Sequence, residues 1–420
     1  MNWHSFQCHF CGGDKCRHED FNKTVGNPAI YGLHSNYVTD NIIASQRLSS
    51  RLIQQHDIYA QFKKHKVFAI VNLQERGEHP HCGDGNLIES GFSYSPEEVM
   101  SHNINFYNFF WRDMSTPSNA QYVMNIMHVM HSDIEKGGKV LVHCHAGLGR
   151  TGLIIACYLL YSKFSNTPEE AINFTRQHRA KSIQTQNQVN YVYIFHEYLI
   201  KSKCVFPLEK QTLKDSMFRQ RCYLSGEPYR VLRNIPKIID CVCKILSQSR
   251  KSCSDINQII KRNQSYIIED PDRQHNDQLL LSDIKNRIND DDWGILSMID
   301  DRLDLGFCLL FDWLSTLSEP ILSDKNIQDM LEMYDQIRDT SINLTIQLLV
   351  SRCDVGKVEC EIIARMTTGL HNLCSMTSAS NEPQVGIELC CLVLSKLTNT
   401  VLKKNNPLCT LFFQTTILKK

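Results

Sequence analysis

The chain has 420 residues, with 45 lysines and arginines set against 45 aspartates and glutamates, and 42 % of it is hydrophobic. That length allows about two or three domains with sizeable cores, and the balanced charge argues against nucleic acid or an anionic membrane surface as an electrostatic partner. The 18 cysteines are scattered rather than set at scaffold spacings, which points to a reducing, cytoplasmic setting and away from a secreted disulfide framework.

In chain order, Met1 to Phe6 has neither a basic start nor an apolar run, so no secretory signal is expected. Residues 1–20 are rich in cysteine and histidine. A tetrahedral zinc ion would take Cys8, Cys11, Cys16 and His18, and an ordered cap with free thiols is the plainer alternative. Tyr37 to Ser45 is strand-like, Leu52, Ile53, Ile58, Tyr59 and Phe62 fit a helical stripe, and Val67 to Leu73 suits a buried strand. Residues 74–96, rich in glycine and proline, form a long loop whose Cys82 reads either as a redox partner for a reactive cysteine or as a simple thiol. A strand from Ile104 to Phe109 delivers Trp111, Arg112 and Asp113. A helix from Asn119 to Lys136 then ends at Gly137-Gly138.

The strand Lys139 to Val142 leads into His143-Cys144-His145-Ala146-Gly147-Leu148-Gly149-Arg150-Thr151-Gly152. Cysteine and arginine six apart, with glycines between them and a helix following, make a loop that can wrap one tetrahedral anion. Backbone N–H groups converge, the helix N-terminus points inward, and Arg150 closes the ring with two parallel donors. Cys144 would lie beneath the phosphorus, its thiol pKa drawn from about 8.5 towards roughly 3.5–7.5 by the surrounding positive charge. The helix Thr151 to Phe164 is apolar on nearly all sides and so central, and its apolar stretch Leu153 to Tyr161 is too short to span a bilayer. Thr167-Pro168-Glu169-Glu170 starts a further helix. Its basic end, Arg176 to Lys181, reads as solvated or as a face for an acidic substrate. Ser182 to Gln188 is amide-rich, with capping as its plain role. Val189 to Ile200 closes this part, and Pro207 marks a boundary.

Residues 206–290 read as a polar linker region, loop-like at Ser247 to Ser254 and Asp270 to Gln278, with one helix from Pro236 to Ser247. From 291 to 420 the pattern is an all-α module of about five helices. Leu296 to Leu317 keeps a three-four spacing, Ser323 caps the next helix, and stripes follow near 342–351, 357–375 and 385–402.

His143-Cys144-x5-Arg150-Thr151-Gly152 matches the signature of cysteine-dependent protein tyrosine phosphatases. The longer string HCHAGLGRTG, with Ile155 to Leu159, resembles the branch called protein tyrosine phosphatase domain-containing proteins, which is similar to the cell-cycle dual-specificity phosphatases. The resemblance implies an α/β domain over 21–205, with a central mixed sheet flanked by helices; the all-α module that follows rests on the helical spacing. It implies Cys144 as nucleophile, Arg150 with the backbone of His145, Ala146, Gly147, Leu148 and Gly149 as phosphate holders, and Thr151 beside the sulfur. It also implies Asp113 as proton donor to the leaving oxygen, and Gln188, or less favourably Gln184, as holder of the hydrolytic water. Phe110 and Ser115-Thr116-Pro117 depart from that pattern around the acid. Asp133 is a rival acid on the preceding helix. No cofactor is required. Only His145 adds a part-time positive charge to the loop, which favours a phosphorylated protein over an inositol lipid. A non-catalytic phosphoprotein-binding scaffold and a phosphoinositide phosphatase stay open as alternatives. Leu314 to Leu322 resembles a short stretch of Rho GTPase-activating domains, but no Gly-x-x-Arg segment upstream would supply their arginine. The helical half is expected to be a scaffold or a remote Rho-GAP-like fold that binds a protein partner.

Overall fold

The computed structural model describes residues 8–9, 11–19, 27–248, 256, 260, 275–299, 302–337, 346–375, 383–400, 402 and 406–416. The chain divides into two units, Met1–Leu199 and Ile200–Lys420. Met1 to Phe6, residues 249–254 and 270–274 of the expected loops, and residues 342–345 of an expected helix lie outside the described residues.

The first unit is built on a five-stranded sheet. Strands β1 (Ser35–Thr39), β2 (Ile42–Ser45), β3 (Val67–Asn72), β4 (Asn105–Asn108) and β5 (Lys139–His143) lie in the order β1-β2-β5-β3-β4. Only β1 and β2 pair antiparallel, and the remaining pairs are parallel. Tyr37 to Ser45 is therefore a hairpin and not a single strand, because Asp40-Asn41 supplies turn chemistry between two apolar runs. The stripe from Leu52 to Phe62 likewise breaks into α1 (Ser50–His56) and α2 (Ile58–His65), since Asp57 adopts φ 48° and ends one helix where the next begins.

Helices α3 (Pro96–Ser101), α4 (Ala120–Glu135), α5 (Gly149–Tyr161), α6 (Pro168–His178) and α7 (Gln186–Lys203) complete this unit. Ile43, Ile70 and Leu141 pack on one face with Leu52, Ile58, Phe62 and Tyr94. Alternate residues such as Val140 and Val142 are equally buried and face the other way, where α4 and α5 meet β5. Every residue of α5 from Gly149 to Leu160 is buried, so the helix that starts at the anion loop is the most enclosed of this unit.

The second unit is helical and has its own apolar core, which includes Ile239, Ile284, Phe307, Phe311, Leu370 and Phe412. Residues 206–290 differ from the linker expected of them. Helices at Leu213–Tyr223, Gly226–Leu232, Lys237–Gln248 and His275–Asn289 contribute Leu232, Ile238, Val242, Leu246 and Ile288 to that core. The polar character of these segments belongs to their outer faces. The spacing from Leu296 to Leu317 is interrupted as well, by a 3-10 turn at Trp293–Ile299 before a helix at Leu303–Ser315. Ser323 accepts from the Asn326 N–H at the start of the helix Asp324–Ile337. Further helices run over Ile346–Arg352, Lys357–Ser375, Pro383–Thr398 and Pro407–Thr416, the last not anticipated from the sequence. No helix among the described residues is long and apolar enough to cross a membrane.

Candidate active site

Parallel strands end on the same edge, and that edge is where the chemistry-bearing residues converge. β5 runs into Cys144, β3 into Leu73 and the loop carrying Glu78, β4 into Trp111 and Asp113, and β2 into Gln46 and Arg47. Cys144 is only 3 % exposed. The loop beyond it turns at Gly147, whose φ of +69° suits glycine, and a Cβ there would overlap the Ser45 carbonyl oxygen. Gly147→Ala is expected to cost about 1–3 kcal/mol from backbone strain alone, read as a lower denaturant midpoint. A wild-type midpoint would mean that the loop can leave the positive-φ conformation without cost.

Arg179 clamps the loop from outside. It donates from Nε to the Gly147 carbonyl (3.0 Å), from Nη2 to the Ala146 carbonyl (3.1 Å) and from Nη1 to Asn36 Oδ1 (2.7 Å). Burial lowers its pKa to about 10, which still leaves it charged at neutral pH. The basic run therefore contains one residue that is buried and spends its donors on the loop, and nothing in its local sequence separates Arg179 from Arg176 or Lys181.

Arg150 is fully buried and forks onto Glu78, Nη1 to Oε2 at 2.8 Å and Nη2 to Oε1 at 2.6 Å. Nη1 also donates to the carbonyls of Leu73 (2.9 Å) and Trp111 (3.0 Å), and Nη2 lies 3.0 Å from Asp113 Oδ1. Burial opposes its charge, but Glu78 and Asp113 outweigh that and hold the guanidinium more firmly protonated than usual. Its Nε is buried without a hydrogen-bond partner among the described residues. Glu78 was not singled out from the sequence, where it is one of several acids in a flexible-looking loop.

Asp113 is thus brought to Arg150, with His79 donating from Nε2 to its Oδ2 at 3.3 Å. Burial pushes this carboxyl up, but Arg150 and then His79 outweigh it and hold it below the usual carboxylate range. Trp111 fixes the acid's loop through an Nε1–H bond to the Ser115 carbonyl (3.2 Å), and Phe110 is anchored through its N–H to the Tyr122 hydroxyl (2.9 Å). The rival Asp133 is buried elsewhere, accepting from Asn105 and from the Tyr107 hydroxyl at 3.0 Å each. His143 donates from Nδ1 to the Cys144 carbonyl (3.0 Å) and accepts at Nε2 from the Tyr94 hydroxyl (2.7 Å). Burial lowers its pKa to about 4, so the ring is a neutral strut.

Gln188 is fully buried, and both it and the exposed Gln184 lie over Gly149. Its Oε1 accepts from the Gln184 N–H at 2.9 Å, a capping role, and its Nε2 reaches the Ser115 carbonyl at 3.5 Å. The Thr151 hydroxyl is buried and has no hydrogen-bond partner among the described residues.

His145 departs from expectation. Its ring is 3 % exposed and does not line a rim. It stacks on His79 at 3.8 Å and presents Nε2 to Cys16 Sγ at 3.4 Å. Burial lowers its pKa to about 3, so it adds no charge to the loop. The four expected zinc ligands do not come together as a set. Cys11 and Cys16 converge with Cys82 and His145, Cys8 lies with His79 and Cys82, and His18 stays outside both groups, packing edge-on against His145 at 5.7 Å and accepting from Arg17 Nε at 3.4 Å. Cys82 sits among these thiols.

Residues 55–197 match the family model described as protein-tyrosine phosphatase. This domain belongs to the protein-tyrosine phosphatase family. The bovine protein tyrosine phosphatase domain-containing protein 1 is 41 % identical over 242 residues, covering 56 % of this chain and 30 % of that protein. The chain thus matches under a third of that relative's length. An Arabidopsis thaliana protein, phosphatidylinositol 3,4,5-trisphosphate 3-phosphatase and protein-tyrosine-phosphatase PTEN2B, is 50 % identical over 56 residues, 13 % of this chain and 9 % of that protein. Among solved structures, Tk-PTP in its active form is 23 % identical, with a TM-score of 0.32, covering 39 % of this chain and 96 % of that one. In this phosphatase-family domain the signature cysteine and arginine occupy the buried loop described above.

Proposed function

We propose that the first unit is a phosphoprotein phosphatase that hydrolyses phosphotyrosine, and phosphoserine or phosphothreonine as well, through a phosphocysteine intermediate. The observation that carries this reading is Arg150, fully buried at the helix N-terminus beyond Cys144, with the Asp113 carboxylate 3.0 Å away. The Cys144 thiolate attacks phosphorus, and the phosphorus–oxygen bond of the ester breaks as Asp113 gives its proton to the departing oxygen. Arg150 and the N–H groups of residues 145–150 hold the remaining oxygens. A water then attacks the phosphocysteine and loses its proton to Asp113, releasing phosphate and restoring the thiolate. Gln188 orients that water by turning its carboxamide from the Gln184 N–H, and the Thr151 hydroxyl donates to the leaving sulfur. The cycle uses no cofactor.

Beside the loop, Ala146 and Leu148 border a cavity of about 580 Å³ whose wall includes Arg17, His34, Arg179 and Lys181. Such a surface suits acidic residues flanking a phosphorylated side chain. It also gives a phosphoinositide headgroup a specific claim as the second reading. The free thiolate suits a reducing cytoplasm. The helical second unit serves as a protein-binding scaffold in this reading.

Acid quench of the chain with radiolabelled phosphotyrosine peptide should leave label on the wild type and none on Cys144→Ser. Phosphate release from phosphopeptides should outpace release from short-chain phosphoinositides. The reverse order would favour the lipid reading. Peptide binding with no label and no release would establish a phosphoprotein-binding scaffold instead.

A further inference from the structure

Three separate segments bring sulfur and imidazole donors together behind the catalytic loop: residues 8–16, the stretch His79 to Cys82, and His145. We propose that Cys11, Cys16, Cys82 and His145 hold one zinc ion in a closed, structural, tetrahedral site. Their four donor atoms all lie within 4.8 Å of one another. Bond lengths of about 2.3 Å to sulfur and about 2.0–2.1 Å to nitrogen put tetrahedral neighbours about 3.5–3.8 Å apart, and His145 Nε2 lies 3.4 Å from Cys16 Sγ. Cys16, Cys82 and His145 are buried, and Cys11 is partly so. Three thiolates and one imidazole suit zinc and not the hard, oxygen-seeking ions, and a full donor set leaves no open position for catalytic water.

The backbone around these donors is organised for the purpose. Gly12, at φ +106°, turns the chain between Cys11 and Cys16. Gly83 donates its N–H to the Gly13 carbonyl at 3.0 Å, docking the N-terminal turn on the Cys82 loop. Buried Arg47 donates from Nη1 to the His79 carbonyl (3.3 Å) and from Nη2 to the Cys82 carbonyl (2.5 Å). Its own N–H reaches the His145 carbonyl at 2.9 Å. The competing cluster of Cys8, His79 and Cys82 has only three donors, and Cys8 Sγ already accepts from the His81 N–H at 3.4 Å.

The ion would pin the residue next to Cys144 to the loop that carries Glu78 and His79, the partners of Arg150 and Asp113. The site does not depend on the phosphatase reading. The metal count is expected to be the same in Cys144→Ser, so loss of turnover and loss of metal are separate results.

The test is elemental analysis of the full chain, purified in reductant without chelator. One zinc per chain is expected, falling below about a fifth in Cys16→Ser and in Cys82→Ser and staying near one in Cys8→Ser. Because serine variants can misfold, cobalt(II) exchanged into the wild type provides an independent readout. Thiolate-to-cobalt charge-transfer absorption of three-sulfur intensity is expected, dropping to two-sulfur intensity in Cys11→His with the metal retained. Zinc near zero in the wild type, or a disulfide joining two of these cysteines in its place, would overturn the proposal. So would metal that survives Cys16→Ser but is lost in Cys8→Ser.

Discussion

Arg150→Met is expected to remove about 3–5 kcal/mol of stability and to lower kcat/KM on a phosphotyrosine peptide by at least about 10²–10³-fold. Both effects come from one side chain. The guanidinium and Glu78 are each at most 1 % exposed and meet through two parallel bonds. Methionine fills the volume and leaves a buried carboxylate with no counter-charge. Activity falls because the equatorial oxygens of the transferring phosphoryl group lose their planar donor. Lysine should rescue little: one ammonium cannot reach both Glu78 oxygens, the Leu73 and Trp111 carbonyls and a phosphate from a single point. The decisive comparison is the double variant Arg150→Met/Glu78→Leu. Removing both charges should restore most of the denaturant midpoint and none of the turnover. If the single variant already keeps the wild-type midpoint, Glu78 is reached by water and the pair is not a buried one.

The loop 143–152 is legible in the sequence because its chemistry is contiguous. Cysteine, glycines, arginine and the following helix all lie within ten residues, and each has a role that spacing alone expresses. The sheet and its flanking helices were legible for a related reason: buried parallel strands such as Val67 to Asn72 are unbroken apolar runs. What stayed hidden acts across long separations. Glu78 lies 72 residues from Arg150, and Arg179 lies 32 from the Gly147 carbonyl it holds. Neither carries a local pattern that distinguishes it from neighbouring charges. A histidine in an anion loop reads as a rim cation, and the inward place of His145 depends on His79 and Cys16, which only the fold puts behind it. The cysteine cluster shows the same limit. The N-terminal spacing pointed to thiols that could act together, but Cys82 and His145 enter only through tertiary folding. In the second unit, amphipathic helices with polar outer faces concealed how much of residues 206–290 is core.

Asp113→Asn is expected to reduce kcat by about 10²–10⁴-fold on phosphotyrosine and phosphoserine peptides, and by less than about tenfold on p-nitrophenyl phosphate. The aryl leaving group of p-nitrophenyl phosphate departs without a proton, whereas a serine alkoxide does not. The pH profile carries the sharper evidence. With Arg150 and His79 beside it, Asp113 sits below the usual carboxylate range and is ionised at neutral pH, the wrong form for an acid. A phosphate dianion bound at Arg150 competes for that positive charge and places a like charge near the carboxylate, and both effects raise the pKa of Asp113 in the complex. The high-pH limb of kcat should therefore report Asp113 in the complex and disappear in Asp113→Asn. Stability moves with the opposite sign. A group whose folded pKa is depressed contributes stability above its unfolded value of about 3.9 and loses it as the pH falls through the folded value. The variant should be less stable than the wild type at pH 7, and the gap should close on acidification below about pH 4. An unchanged high-pH limb, or equal losses on p-nitrophenyl phosphate and on the phosphopeptides, would remove Asp113 from the proton-transfer role and leave it as a partner of Arg150 alone.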